Sequence, residues 1–200
     1  VHAMNLVTLS VGPDVAVFDA ISRRRRVVAI AGADAHANIR ITKAHSVAFP
    51  SMESFFRMMS THVLLDAPFT RQLDADRTAL LAALEKGRAY AAWDSLADPA
   101  GFAFTAQLRD SLHPMGSVLP SQFMTLRVTA PELPGVRITL LRDGHQAASA
   151  EGPSLVYQTS QEGAYRCEVS LPFPSPFLGR QLRHTWILSN PIYVGEKYAR

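Results

Sequence analysis

The hydrophobic positions follow two different patterns in the two halves of the chain. Up to about residue 93, apolar residues recur at helical spacing in three stretches, near residues 14–25, 52–59 and 74–87. Residues 27–31 form one short, wholly apolar run, which predicts a strand buried on both faces, as in a parallel sheet. Residues 89–93 predict a further strand. The first part of the chain is therefore predicted to mix helices and strands.

The clearest of the predicted helices is the one near residues 74–87. Asp74 is its expected N-terminal cap, and Gly87 is its expected C-terminal stop. Its apolar face is expected to consist of three leucines, Leu80, Leu81 and Leu84.

From about residue 100 the helical period disappears, and apolar residues alternate with polar ones. Six runs predict strands, at residues 102–104, 123–128, 136–141, 154–159, 164–171 and 185–188. Asp143-Gly144 predicts a two-residue hairpin turn. Several short strands at this spacing are typical of a β-sandwich or a barrel. We expect an α/β part at residues 1–96 and an all-β domain at residues 97–200, with a closing segment that returns to the first part.

Composition narrows the classes of function only a little. The 200 residues are 48% hydrophobic and carry a net charge of +3, with basic residues scattered apart from the run Arg23 to Arg26. A nucleic-acid partner is not expected, because its binding surface would concentrate the basic residues on one face. A membrane partner is not expected either, because no apolar run approaches the roughly 18–20 residues of a membrane span. The single cysteine, Cys167, excludes an internal disulfide and is expected to be a small buried residue.

The chain begins with Val rather than Met, and its first ten residues resemble a protein interior. We therefore expect a fragment of a longer protein, or a chain whose N-terminal part was removed. The compartment, cytoplasmic or periplasmic, and the oligomeric state stay open.

Asp34 and His36 are the main candidates for chemistry. They follow the predicted buried strand, at the edge where parallel strands present functional groups. Positions i and i+2 of an extended segment share a side, so a carboxylate and an imidazole would converge as ligands for a divalent cation. The pair alone is weak evidence, since Asp34 could cap a turn and His36 could be a structural histidine.

Other polar residues are weaker candidates. Asn38, Arg40 and His45 follow the motif and would line a pocket or contact substrate, although solvated loop residues are the alternative. The run Arg23 to Arg26 would form a patch for phosphate or nucleic acid or, as the simpler interpretation, stabilise the end of a helix. The remaining single histidines are interpreted as structural or exposed: His62, His113, His145 and His184.

The wider context resembles a known family. Phe18-Asp19-Ala20-Ile21, the arginine run and the sequence Val-Val-Ala-Ile-Ala-Gly-Ala-Asp-Ala-His resemble the end of the catalytic barrel in PHP-domain metallohydrolases, nearest the carbaryl-hydrolase-type subgroup. That family usually has Gly-Ser-Asp-x-His, and here Ala33 replaces the serine. Four further stretches carry the resemblance: residues 80–90, Met115-Gly116, Leu141-Arg142-Asp143-Gly144, and the closing Trp-Ile-Leu-Ser-Asn-Pro-Ile-Tyr-Val of residues 186–194.

The resemblance implies the C-terminal remnant of a PHP (β/α)7 barrel followed by an immunoglobulin-like β-sandwich. It also implies two or three divalent metals, such as zinc, manganese or iron, held by an early His-x-His, further His, Asp and Glu residues, and a final Asp-x-His. Only the last element, Asp34 and His36, is present, and no His-x-His occurs in the 200 residues.

The implied function is hydrolysis of a small-molecule phosphoester, ester, amide or carbamate by metal-activated water, with Asp34 and His36 as metal ligands and catalytic residues. Because the other ligands are missing, this chain alone is not expected to assemble the complete site. The main alternative is a non-catalytic β-sandwich module for binding or interaction, attached to an inactive barrel remnant. In a third possibility, a separate chain supplies the other ligands.

Overall fold

A computed structural model of the chain describes residues 13–33, 38–40, 46–48, 51–174 and 181–199. Strands make up 42% of the structure and helices 19%. The helices are α1 (Pro13–Ser22), α2 (Met52–Phe56) and α3 (Leu73–Glu85), and a short 3-10 helix spans Glu196–Tyr198. The predicted combination of an α/β barrel remnant with an all-β domain is wrong, because the described part contains two large, mainly antiparallel sheets and no barrel.

The larger sheet has eight strands. They are β3 (Ser60–Val63), β4 (Ala89–Ala92), β7 (Val118–Leu119), β9 (Arg137–Arg142), β10 (His145–Glu151), β12 (Gly163–Pro174), β13 (Gln181–Ser189) and β14 (Ile192–Val194). The main path of the sheet runs β10-β9-β12-β13-β4-β3, and β14 pairs with both β12 and β7. All pairs are antiparallel except that of β14 with β7. This sheet takes strands from both sides of residue 96.

The smaller sheet has four strands in the order β11-β8-β5-β6. They are β5 (Ala103–Leu108), β6 (Ser111–Pro114), β8 (Met124–Thr129) and β11 (Ser154–Thr159). A separate antiparallel pair is formed by β1 (Asn38–Arg40) and β2 (Ser46–Ala48). The main core contains residues from both large sheets, among them Leu126 on β8, Ile138 on β9 and Trp186 on β13. Burial of these apolar faces against each other is what stabilises the two-layer arrangement.

The hairpin between β9 and β10 turns at Asp143-Gly144, as predicted. Both residues have positive φ, 53° and 82°, which a type I′ turn requires and which matches the twist of the two strands. The turn is held because Asp143 Oδ1 accepts a hydrogen bond of 2.9 Å from the backbone N–H of Ala164.

Two helices differ from their predicted bounds or caps. The prediction that Asp74 caps α3 is wrong: Gln72 is the N-cap, and the Asp76 carboxylate accepts hydrogen bonds from the backbone of Thr70 and Arg71 just before the helix. Leu81 is exposed and does not belong to an apolar face that packs on the sheet. The helix α2 ends at Phe56, earlier than the apolar pattern indicates.

The prediction of a buried parallel strand at residues 27–31 is also wrong. This stretch is extended, but it belongs to none of the sheets in the described part of the chain. Ala29 is exposed, and 64% of the surface of Ile30 is accessible to solvent. The five apolar residues therefore lie across the outside of the larger sheet rather than inside a second one.

Candidate functional site

Within the described ranges, the extended segment 27–31 is held by side chains rather than by a neighbouring strand. In sequence the segment is followed by Gly32, Ala33 and Asp34. Its first, third and fifth residues each exchange two hydrogen bonds with a single side chain from elsewhere in the fold. The three side chains are those of Tyr193, Asn190 and Thr61, which we call the clamp residues. Because N–H and C=O of alternate residues point to the same edge of an extended chain, the clamp residues contact one edge only.

Tyr193 on β14 holds the first residue of the segment. Its hydroxyl accepts a hydrogen bond of 3.0 Å from the N–H of Val27 and donates one of 2.7 Å to the carbonyl of the same residue. The ring is buried and packs against Tyr198, with 4.8 Å between ring centroids. Burial is the main reason why the pKa of the Tyr193 hydroxyl is raised, so the group stays protonated and able to donate.

Asn190, between β13 and β14, holds the middle of the segment. Its Oδ1 accepts a hydrogen bond of 2.7 Å from the N–H of Ala29, and its Nδ2 donates to the carbonyl of Ala29 at 3.0 Å. The second Nδ2 hydrogen is donated to the carbonyl of Ala89 on β4 at 2.8 Å. Asn190 is only 1% exposed, so this fully bonded amide ties the segment to the sheet at a buried point.

Thr61 on β3 holds the last residue of the segment, Ala31. Its hydroxyl accepts a hydrogen bond of 2.9 Å from the N–H of Ala31 and donates one of 3.2 Å to the carbonyl of Ala31. The neighbouring residue on β3, His62, points to the other face of the strand. There its Nε2 lies 2.8 Å from Asp94 Oδ1, and its ring stacks on Tyr90. This agrees with a structural role for His62.

Two glycines let other parts of the chain approach the segment. A Cβ atom at Gly87 would lie 3.3 Å from Val28 Cγ2 and 3.8 Å from Asn190 Cβ. A Cβ atom at Gly116 would overlap the carbonyl oxygen of Lys86, and the backbone N–H of Gly116 donates to the carbonyl of Pro191 at 2.8 Å. The turn after α3 and the turn before β7 therefore meet beside the segment.

The helix α1 is fixed to the sheet by a buried ion pair. Arg166 on β12 donates through Nε and Nη2 to the two carboxylate oxygens of Asp19, and through Nη1 to Glu168. Burial opposes the charged form of Arg166, but the bonds to Asp19 and Glu168 outweigh burial and raise the pKa of the guanidinium. The helix that precedes the segment is thus tied to the larger sheet as well.

A cavity of about 310 Å³ lies between α1, the segment and the larger sheet. Its lining is mainly apolar and includes Phe18, Ile30, Trp93 and Leu188. Arg166 also lines the cavity, but its guanidinium is already paired with two carboxylates. The cavity therefore suits an apolar group better than an anion.

The predicted ligands Asp34 and His36, and the candidate His45, lie outside the residues that the structure describes. Asn38 and Arg40 are described only in their backbone, as part of β1. Among the side chains that the structure does describe, no group of three or more His, Cys, Asp and Glu residues is arranged to hold a metal ion. No helix in the described ranges is long and apolar enough to cross a membrane.

The sequence did not indicate that Thr61, Asn190 and Tyr193 would hold the segment. Asn190 and Tyr193 did stand in a stretch quoted for the resemblance, but Thr61 carried no signal at all. Thr61 lies outside every predicted helix and strand, and only the three-dimensional contact with Ala31 distinguishes it.

Comparisons with known proteins found no relative of this chain. A scan against protein-family models found no match, and neither did searches of curated proteins and of solved structures.

Proposed function

We propose that Asp34 and His36 supply two ligands to a divalent metal centre that hydrolyses a small-molecule phosphoester, ester, amide or carbamate. No His-x-His occurs in the 200 residues, so the remaining ligands would come from other residues of the protein or from a partner chain. The proposal rests on the sequence around Asp34 and on the way the described residues are arranged before it.

One observation carries the proposal. The stretches of sequence that resemble metallohydrolases lie far apart in the chain, yet in space they surround α1 and segment 27–31. Gly87, Gly116 and the pair Asn190 and Tyr193 contact the segment or one another, as described above. The remaining stretch, residues 141–144, reaches α1, because a Cβ atom at Gly144 would lie 3.0 Å from Asp19 Cβ. Residues that build one site are expected to lie close together in this way, and the segment around which they lie is followed in sequence by Asp34.

The chemistry of the two side chains fits a divalent cation of borderline character. An ionised carboxylate and a neutral imidazole are ligands for zinc, manganese or iron, and a complete centre needs at least four donors. A bound cation would supply Lewis acidity and would lower the pKa of a bound water towards neutrality.

The residues of this chain would hold the cation, fix the neighbouring main chain and accept part of the substrate. Asp34 and His36 would hold the cation through oxygen and nitrogen. The clamped segment 27–31 would fix the main chain that precedes both residues in sequence, since a site on rigid elements keeps its geometry better than one on a free loop. The apolar cavity borders the same segment and would accept an apolar group of the substrate.

Metal content and hydrolysis of the same preparations test the proposal. Wild-type protein, Asp34→Ala and His36→Ala would be compared by inductively coupled plasma mass spectrometry and with nitrophenyl phosphate, acetate and carbamate esters as substrates. Matched controls are His145→Ala and Asp110→Ala, which change the same residue types at exposed positions. We expect the first two variants to lose metal and turnover and the controls to keep both. Metal and turnover retained in Asp34→Ala would contradict the proposal.

The cavity gives a second candidate function, the binding of an apolar ligand by a non-catalytic module. The test is titration with the uncharged dye N-phenyl-1-naphthylamine, read by its fluorescence. Ala91→Trp would fill the cavity, and Val156→Trp at an exposed strand position is the control. Dye binding that Ala91→Trp abolishes, in a protein that holds no metal, favours the binding module; no dye binding by the wild type excludes it.

A further inference from the structure

We propose that the chain binds a phosphate group, free or on a small organic molecule, in a second cavity between Arg23 and Arg142. This cavity has a volume of about 300 Å³. Its lining is mainly polar, and among the described residues it shares none with the apolar cavity beside segment 27–31. The inference goes beyond the proposed function and does not depend on Asp34 or His36.

The polar cavity lies where the edge strands of the two sheets, β10 and β11, come together. The hairpin of β9 and β10 supplies residues 142–143 and 145–147, β11 supplies Tyr157, and the turn after β11 supplies Gln161. Arg23 reaches the cavity from the chain that leaves α1. Residues from four separate parts of the chain therefore surround one space, whose volume lies at the lower end of the range for small-molecule sites.

Arg142 is fixed in place by its neighbours. In β9 it pairs with Tyr165 of β12, and its Nη1 donates a hydrogen bond to Oε1 of Gln161. Gly163 lies against the aliphatic part of the side chain, since a Cβ atom there would lie 2.8 Å from Arg142 Cγ. Gln161 is held in turn, because its N–H donates to Thr159 Oγ1 at 3.0 Å and its carbonyl accepts from the Tyr165 hydroxyl at 2.9 Å. The guanidinium is thus partly ordered before a ligand arrives, which lowers the entropic cost of binding.

Arg23 is held through its main chain. Its N–H donates a hydrogen bond of 3.0 Å to the carbonyl of Asp19, and its carbonyl accepts one of 3.2 Å from the hydroxyl of Tyr198. Because Tyr198 is buried, this contact ties the end of α1 to the body of the protein. Arg23 itself is exposed and borders the cavity, so its side chain can turn towards a ligand.

The charges around the polar cavity favour an anion. Arg23 and Arg142 bring two positive charges to the lining, and Asp143 brings one negative charge. The Asp143 carboxylate is directed to β12, where its Oδ1 accepts a hydrogen bond of 2.9 Å from the N–H of Ala164. The lining therefore carries a net positive charge even when His145 is neutral. Two guanidinium groups beside one space repel each other, and an anion between them relieves that repulsion.

A phosphate group fits this lining better than a carboxylate or a halide ion. A phosphate monoester carries about 1.5–2 negative charges at pH 7, which match two arginines. Its oxygens also accept paired hydrogen bonds from the planar fork of a guanidinium. Tyr157 and Ala147 add an aromatic and an aliphatic side chain to the wall, which the organic part of such a molecule would contact.

Titration of the full chain with two phosphate compounds, followed by its amide signals in nuclear magnetic resonance, tests the site. The probes are inorganic phosphate and phenyl phosphate at constant ionic strength, with sodium chloride as the reference. We expect saturable shifts of the amide signals of residues 143–147 and 161. Tighter binding of phenyl phosphate would identify an organic phosphate as the ligand, and tighter binding of inorganic phosphate would identify the free ion. Saturable shifts with neither compound would overturn the proposal.

Substitution of the two arginines tests whether they hold the ligand. Arg142→Gln and Arg23→Gln should each weaken binding of the preferred probe by about 10–100-fold, the effect of losing one hydrogen bond between charged groups. Arg142→Lys keeps the charge but loses the planar fork, and should weaken binding less than Arg142→Gln does.

Two exposed arginines outside the lining give matched controls. Arg24 is the next residue of the same basic run, and Arg127 lies on β8. Arg24→Gln and Arg127→Gln should change the affinity by less than about twofold, since water and salt screen exposed charges. If Arg24→Gln weakens binding as much as Arg23→Gln, the basic run attracts anions by charge alone and the proposed site is wrong.

A nucleic-acid partner is the other outcome that the experiment can reveal. A single-stranded oligonucleotide that binds more tightly than phenyl phosphate, and shifts the amides of residues 23–26 rather than 143–147, would overturn the small-molecule site. Because Arg23 is exposed, Arg23→Gln should keep its fold even if Arg142→Gln does not. Unchanged phosphate affinity in Arg23→Gln would therefore also contradict the proposal.

Discussion

Arg166 and Asp19 face each other as a two-pronged ion pair, with 2.5 Å between Nε and Oδ1 and 2.7 Å between Nη2 and Oδ2. They are 147 positions apart in the chain, and only 4% of the Arg166 side chain is exposed. The planar guanidinium matches the carboxylate in geometry, which makes the contact specific as well as attractive. Through this pair the sheet determines where α1 lies, and α1 in turn leads to the clamped segment.

Asp19→Ala should destabilise the protein by about 2–3 kcal/mol, because it leaves a buried guanidinium with only Glu168 as an ionic partner. The free energy of unfolding in urea measures this cost. Glu53 and Arg57 give a matched control: their ion pair lies on α2 with 73% and 77% of the side chains exposed. Glu53→Gln should cost at most about 0.5 kcal/mol. Equal costs for the two substitutions would show that the buried pair does not anchor α1.

Gly116→Ala should be among the most destabilising single substitutions in the chain. Gly116 has a φ of +84°, and an added Cβ would overlap the carbonyl oxygen of Lys86 and lie 2.8 Å from the carbonyl carbon of Gly87. Steric overlap and backbone strain together should cost about 3 kcal/mol or more in the free energy of unfolding, measured by urea unfolding.

Gly101→Ala is the control, since Gly101 has a similar φ of +96° but open space around it. It should show the cost of strain alone, about 1 kcal/mol. A similar small cost at both glycines would contradict the close packing at Gly116.

Several β-strands of the second half, such as β5, β8 and β9, could be predicted from the sequence because buried residues alternate along them with more exposed ones. Ser154–Thr159 begins and ends where the alternation predicts, and the Asp143-Gly144 hairpin follows from turn chemistry alone. These signals are local, so neighbouring residues are enough to produce them. The strand Ile192–Val194 gave no such signal, since all three of its residues are buried and it is too short to show a period.

Segment 27–31 could not be placed from the sequence. Five apolar residues in a row are compatible with a strand covered on both sides, and nothing in the run itself indicates that side chains would provide its pairing. The partner Asn190 lies 161 positions away, and the partner Tyr193 lies 166 positions away. Such contacts depend on the whole fold. The sequence drew attention to Asp34 and to the closing stretch separately, and only the structure brings the closing stretch to the segment before Asp34.

Cys167 should be inert towards thiol reagents in the folded protein. The residue is fully buried on β12, and burial raises the pKa of its thiol to about 12. With Ellman's reagent at pH 8, we expect no reaction over the time in which the unfolded protein in urea reacts completely. Rapid labelling of the native protein, in the absence of urea, would contradict the burial of this strand.

The stability of the protein should fall at alkaline pH, and Tyr90 should account for a measurable part of the fall. Burial first, and then the nearby charges of Asp94 and Asp98, raise the pKa of Tyr90 to about 12, against 10.0 for the free side chain. Because the folded state holds this proton more tightly, the stabilisation is fully present below pH 10 and is lost as the pH rises from 10 towards 12.

The loss through Tyr90 should amount to something on the order of 2 kcal/mol in the free energy of unfolding. Urea unfolding at pH 9, 10, 11 and 12 measures it, with Tyr90→Phe as the matched variant, because phenylalanine keeps the contact of the ring with Phe102 but has no proton to lose. Above pH 10 the stability of the variant should fall less than that of the wild type. It should still fall somewhat, since the other buried tyrosines titrate in both proteins. Identical pH profiles for the two proteins would mean that the Tyr90 hydroxyl is not held in the buried position beside Asp94 and His62 that the structure gives it.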